Sequence, residues 1–234
     1  MINEAIILAG GLGTRLRSVV ADLPKCMAPV AGHPFLFHVI HHLKKEGITR
    51  FIFSLGYMHE AIETYLHKAF PELDIVIVIE QDPLGTGGAI QLACKHAVSQ
   101  NILALNGDTL FAINLKEVSH QHKQTNAHCT VCLKPIENFD RYGVVDISTD
   151  KHIIQFQEKK AYKSGLINGG IYALNVASLL QLQLPEKFSF EKDYLEKQTQ
   201  SFTLFGIEQD VYFIDIGIPE DFQKANIDLL SNVS

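Results

Sequence analysis

The residues best suited to handling phosphate lie near the start of the chain. Ala5 to Ala9 form a short apolar run closed by Gly10 and Gly11, which reads as a buried strand ended by its glycines. Gly10-Gly11-Leu12-Gly13-Thr14-Arg15 then makes a loop of small side chains with one guanidinium. Backbone N–H groups in such a loop can point at a ligand, and the arginine fork can share the oxygens of a polyphosphate. Lys25, directly after Pro24, adds a second cation. The loop has no G-x-x-x-x-G-K-[ST] pattern, and Leu16 stands where a dinucleotide fingerprint needs its third glycine. On these residues alone two readings stay open, a tight strand-to-helix turn and a nucleoside triphosphate loop.

The elements that must position this loop alternate. Apolar residues recur at helical spacing over 35–46 (Phe35, Val39, Ile40, Leu43) before Gly47, a helix stop. Strands are expected at 51–55, 75–80 and 102–105, with helices at 61–70 and 86–99 between them. This alternation predicts a mostly parallel sheet with helices on both faces, a Rossmann-like three-layer α/β/α fold. Ligands of such sheets sit beyond the carboxyl ends of the strands. Gly10, Glu80 and Asp108 each fall just past a strand end. From Leu115 the pattern changes to strands at 130–135, 144–147, 153–158 and 167–174, a short helix at 176–182, a late strand at 211–217 and a closing helix at 219–230. No linker or repeat interrupts the chain. The expectation is one domain over 1–234, with a nucleotide-binding half (1–114) and a substrate-binding half (115–234).

Composition narrows the partners. The chain has 234 residues, 47% hydrophobic and 20% charged, with a formal net charge of −6. An acidic chain without a basic block does not favour nucleic acid, although cations gathered in one cleft can still serve an anionic substrate. Cys129-x-x-Cys132 has redox or zinc spacing, but it lacks a second pair and sits in the strand-like run 128–133. These cysteines are read as structural. The histidines form no H-E-x-x-H or similar pattern, so none is assigned a metal. No segment is apolar and long enough to span a membrane, and no leader is apparent, so a cytoplasmic protein with no membrane partner is expected. It is read as a monomer or homo-oligomer.

Four motifs taken together carry a resemblance. They are 5–16 with Pro24-Lys25, Leu84-Gly85-Thr86-Gly87-Gly88-Ala89, Asn106-Gly107-Asp108, and Phe213-Ile214-Asp215-Ile216-Gly217. In this order the chain resembles the sugar-1-phosphate nucleotidyltransferases over nearly its whole length. Within that family it is most similar to the heptose 1-phosphate guanylyltransferases, through 139–143, 165–172 and 212–220. The resemblance implies a nucleotide-diphospho-sugar transferase fold and transfer of a nucleoside monophosphate from NTP to a sugar 1-phosphate, with release of pyrophosphate. It implies that Gly10, Gly11, Gly13 and Thr14 wrap the triphosphate, that Arg15 faces the leaving pyrophosphate, and that Lys25 neutralises charge near the α-phosphate. Asp108 and Asp215 resemble the pair that holds Mg²⁺, a cation suited to two carboxylates plus phosphate oxygens and water. On physical grounds Asp108 could instead be a turn aspartate after Asn-Gly. An acid within the apolar run 213–216 is costly without a partner.

Base and sugar are chosen elsewhere. Glu80 matches the place where relatives with uracil or thymine substrates carry a glutamine. Guanine offers the adjacent donors N1–H and N2–H₂, which one carboxylate can accept, so Glu80 with the backbone around Gly85 favours GTP. Gln81 next door would suit a uracil or thymine in a register shifted by one. By resemblance Glu158 takes sugar hydroxyls and Lys159 the sugar phosphate, with Lys160 leaving their register open. Asn168 and Gly170 match the sugar-contacting strand, Gly143 a backbone contact, and Arg141 a further phosphate contact. The expected product is a GDP-sugar, GDP-D-glycero-D-manno-heptose first, with a uridylyl- or thymidylyltransferase as the alternative. A non-catalytic sensor would not need Arg15, Lys25, Asp108 and Asp215 together. Too few residues follow Asp215 for a second catalytic module, so one activity is expected.

Overall fold

The apolar runs at 4–8, 50–55 and 101–106 become strands buried on both faces. The computed structural model describes residues 1–11 and 23–230. Its first half comprises β1 (Glu4–Leu8), a two-residue hairpin of β2 (Pro29–Val30) and β3 (His33–Pro34), α1 (Phe35–Lys45), β4 (Arg50–Leu55), α2 (His59–Ala69), β5 (Asp74–Ile79), α3 (Gly85–Cys94), β6 (Asn101–Asn106) and β7 (Thr109–Phe111). There follow α4 (Leu115–Gln124), β8 (Cys129–Phe139), β9 (Val145–Ile147), β10 (Ile153–Phe156), β11 (Tyr162–Asn175), α5 (Val176–Leu180), a π-helical segment Phe190–Leu195, α6 (Glu196–Gln198), β12 (Leu204–Glu208), β13 (Phe213–Asp215) and α7 (Pro219–Leu230).

The main sheet has seven strands in the order β12-β8-β11-β6-β1-β4-β5. β11 pairs antiparallel with both neighbours and every other pairing is parallel. The sheet is mixed and mostly parallel, as the alternation predicts. Because side chains alternate along a strand, Ile7, Phe51, Phe53 and Leu105 join α1, α2, α4 and α7 in one core. Ile6, Ile52, Ala104 and Tyr172 join α3, α5 and the π-helical segment in the other. Three layers result.

Departures from the expected elements have local causes. α3 stops at Cys94, short of residue 99. Its end tightens through three-residue bonds such as His96 N–H to Ala93 O, and the buried Glu4 carboxylate then takes the N–H groups of Val98 and Ser99. Only 213–215 of the late strand pairs, and it pairs antiparallel with β7 outside the main sheet. α4 was not expected, since its buried face mixes Leu115 and Val118 with Ser119 and His122. Its start is set by Asn114, whose side chain accepts from Glu117 N–H while its amide donates to the Glu117 carboxylate, a reciprocal cap. The edge strand β12 was also missed. Cys129 and Cys132 sit three apart on β8, so they face opposite cores; both are buried and free.

Candidate active site

A cavity of about 910 Å³ opens at the carboxyl ends of the parallel strands. Gly10 and Gly11 reach it from the end of β1, Glu80 from the end of β5, Asn106 and Asp108 from the end of β6, and Gly85 and Thr86 from the start of α3. Lys25 and Gly217 line the same space. Residues that the sequence places just past three separate strands therefore meet at one site. Gly13, Thr14 and Arg15 lie outside the described residues.

The charged centre is Lys25. It opens a short 3₁₀ turn after Pro24, and its Nζ donates to Asp108 Oδ2 at 2.6 Å and to Asp215 Oδ1 at 3.2 Å. The β7–β13 pairing makes this possible, because it sets Asp215 opposite Thr109, one residue from Asp108. Asp215 Oδ1 also accepts the N–H of Gly217 at 2.8 Å. Burial alone would lower the Lys25 pKa, but the charges and hydrogen bonds of the two aspartates outweigh it and hold the pKa above the ordinary lysine value. Both acids keep about a third of their side chains exposed, 32% and 30%, and Asp108 lines the cavity. Lys25 occupies one oxygen of each. Two convergent carboxylates with hard oxygens to spare suit a magnesium ion that also takes phosphate oxygens and water. Among the described residues no group of three or more His, Cys, Asp or Glu forms a closed metal cage.

On the opposite wall the Glu80 carboxylate is held from two sides. Oε1 accepts from the Ser54 hydroxyl and Oε2 from the Leu84 N–H, each at 3.1 Å. Gly10 packs directly on it, since a Cβ there would sit 3.1 Å from Oε1 and 3.0 Å from Gly56 N. Gly85 has φ +72°, and a Cβ would stand 2.6 Å from Phe188 O. Only glycine fits this backbone. Gln81 also lines the cavity.

The sugar-side candidates divide. Asn168 donates to the Tyr172 hydroxyl at 2.9 Å and accepts the N–H of Gly170 at 2.9 Å. Gly170, at φ +71°, lies against Asn106, whose amide nitrogen would be 2.9 Å from an added Cβ. β11 thus brings Gly170 beside Asn106 of the cavity wall, and Asn168 next to Gly170, although neither lines the cavity. Gly143 lies against the Gln157 carbonyl and beside Glu158. Gly143, Glu158 and Lys159 do not line that cavity, and the latter two are exposed. Arg141 donates to Asp221 Oδ2 at 2.6 Å and to the Tyr142 hydroxyl at 2.9 Å, tying this loop to α7. Several residues of the site were missed in the sequence. Ser54 was marked only by being polar within Phe51-Ile52-Phe53-Ser54-Leu55. Asn106 belonged to a noted motif but had no role. His59, which lines the cavity, carried no signal in its spacing.

With this geometry in place, three comparisons agree. The chain is 48% identical over 226 residues to D-glycero-alpha-D-manno-heptose 1-phosphate guanylyltransferase of Aneurinibacillus thermoaerophilus, covering 97% of this chain and 98% of that one. It is 43% identical to the protein of the same name from Campylobacter jejuni, over 94% of this chain and 96% of that one. A solved structure of HddC from Yersinia pseudotuberculosis complexed with GMP-PN superposes with a TM-score of 0.86 at 37% identity, covering 97% and 100% of the two chains. The family model for nucleotidyl transferases matches residues 4–232, and the chain belongs to that family.

Proposed function

We propose that the chain transfers GMP from GTP to D-glycero-α-D-manno-heptose 1-phosphate, giving GDP-heptose and pyrophosphate. The observation that carries this reading is the cavity walled by Gly10 and Gly11, by Glu80, and by Lys25 and Asp108, with Asp215 held on Lys25 behind them. The names of the two full-length relatives support it. Residues 1–114 form the nucleotide-binding half and 115–234 the sugar-phosphate half of one domain. The reaction takes place in the cytoplasm, where its nucleotide is supplied.

An oxygen of the sugar phosphate attacks the α-phosphorus of GTP. The new O–Pα bond forms as the bond from Pα to the bridging oxygen of pyrophosphate breaks. Both reactants are anions, so catalysis is chiefly alignment and charge neutralisation. Gly10, Gly11, Gly13 and Thr14 cradle the triphosphate, and Arg15 stabilises the departing pyrophosphate. Lys25, kept charged by its two aspartates, neutralises the α-phosphate. Asp108 and Asp215 would hold Mg²⁺, which would supply screening of the phosphate charge. Glu80 and Gly85 bind the base. Gly143, Glu158, Lys159, Asn168 and Gly170 orient the sugar phosphate.

Gln81 on the same wall favours a second reading, a uridylyl- or thymidylyltransferase, because an amide complements the donor and acceptors of those bases. Pyrophosphate release from GTP, UTP and dTTP with the heptose 1-phosphate separates the two. GTP is expected to be preferred, and Glu80→Gln to erode that preference by about tenfold. Wild-type protein that favours UTP or dTTP would sink the guanine assignment.

A further inference from the structure

We infer that Ser54 is a specificity-determining positioning residue, which fixes the Glu80 carboxylate in the orientation that selects guanine. This rests on the proposed role of Glu80 at the base. Ser54 is the one hydroxyl in the apolar strand β4, and it is wholly buried. It acts through another group, since nothing in the cavity can touch it. Its hydroxyl donates to Glu80 Oε1, and the Leu84 N–H donates to Oε2. A carboxylate oxygen accepts about two hydrogen bonds. The frame therefore uses one acceptor position on each oxygen and leaves one on each for a ligand.

That division suits guanine. N1–H and N2–H₂ are side by side and need two acceptors in one plane, one from each oxygen. The donors come from separate elements, one from β4 and one from the turn that opens α3, so the carboxylate cannot rotate without losing both. Gly10 flanks the carboxylate, where an added Cβ would come within 3.1 Å of Oε1. A carboxylate so held must meet the carbonyl oxygens of uracil, or N1 of adenine, with an acceptor facing an acceptor. Without Ser54, Oε1 loses its anchor while Leu84 still holds Oε2. The carboxylate can then turn out of plane, and its two-point grip on N1–H and N2–H₂ weakens.

The test compares GTP, ITP and UTP, with ITP lacking only the 2-amino group. Steady-state kinetics with D-glycero-α-D-manno-heptose 1-phosphate and Mg²⁺ are paired with calorimetric binding of each nucleotide. Wild-type protein is expected to favour GTP over ITP. Ser54→Ala should cut that preference by about tenfold, through KM, with kcat changed by less than about twofold. Ser54→Thr, which keeps the hydroxyl, should retain it. A general packing defect would instead weaken all three nucleotides in proportion, and that result overturns the inference, as does an unchanged GTP-to-ITP ratio. If wild-type protein shows no preference for GTP over UTP, the guanine reading of Glu80 fails. If it prefers GTP and Ser54→Ala keeps that preference, only the role of Ser54 fails. Should Ser54→Ala not fold, Ser54→Cys, nearly isosteric and a weak donor, carries the same expectation and the same refutation.

Discussion

Among individual residues, Lys25 stands at the charged centre of the site, paired with two carboxylates. A buried ammonium is costly alone, and Asp108 and Asp215 make it favourable by taking its charge and two of its protons in hydrogen bonds. Because its folded pKa lies above the ordinary 10.5, the stability it contributes is complete below that value and is lost only as pH rises through the folded one. The cation is therefore present throughout the neutral range. Asp108→Asn removes one charge from this centre while keeping its shape. We expect kcat to fall by about a hundredfold or more, with GTP affinity without Mg²⁺ little changed. Pyrophosphate release within about tenfold of wild type would remove Asp108 from the reaction. The Gly-rich loop, Lys25 and both aspartates were legible in the sequence because phosphate chemistry restricts residue type. Ser54 was not legible, since a serine in an apolar run has no meaning until its partner just past a neighbouring strand is known.

At the level of elements, α4 is the instructive case. Its buried face includes His122, whose Nδ1 meets the Thr130 hydroxyl of β8 at 2.9 Å and whose Nε2 meets Asn101 Oδ1 of β6 at 3.2 Å. The amide oxygen of Asn101 can only accept, so Nε2 carries the proton and Nδ1 accepts from Thr130. Burial pushes the His122 pKa down from 6.5 to about 4. The unfolded chain then binds a proton that the folded chain refuses. Stability is complete above pH 6.5 and is lost as pH falls toward 4, by up to about 3 kcal/mol from this residue. Urea unfolding at pH 7.5 and pH 5 measures it. His122→Gln, which keeps polar atoms but does not titrate, should be less stable at neutral pH and show a smaller loss on acidification. An equal loss in both proteins would assign the acid sensitivity elsewhere. α4 escaped the periodicity reading because half its buried positions are polar, and those positions are satisfied by Ile2, Asn101 and Thr130 from other parts of the fold.

For the whole molecule, the site depends on bringing together a glycine turn, Glu80 and Asp108 from the ends of β1, β5 and β6, and then adding Asp215 from near the end of the chain. Ligands that bind only this assembled form should stabilise it by mass action. GTP with Mg²⁺ is expected to raise Tm by several degrees, EDTA to abolish turnover and remove most of that rise, and Asp108→Asn to respond little to the metal. Differential scanning fluorimetry with and without chelator checks this. A rise with GTP that ignores both EDTA and Asp108→Asn would sink the assignment of Mg²⁺ to these carboxylates.

The sequence alone determined the alternating elements, the three-layer class and the common address of Gly10, Glu80 and Asp108, because strand period, helix period and the carboxyl-end rule are local or topological. It also named Asp215 as an acid in need of a partner. Only the tertiary structure decided who that partner is. The short pairing of β13 with β7 places Asp215 and Asp108 on one lysine, and no local pattern encodes a contact across 190 residues. The same holds for the framing of Glu80 by Ser54 and Leu84. Side-chain hydrogen bonds between strands depend on register and distance, and these exist only once the sheet has formed.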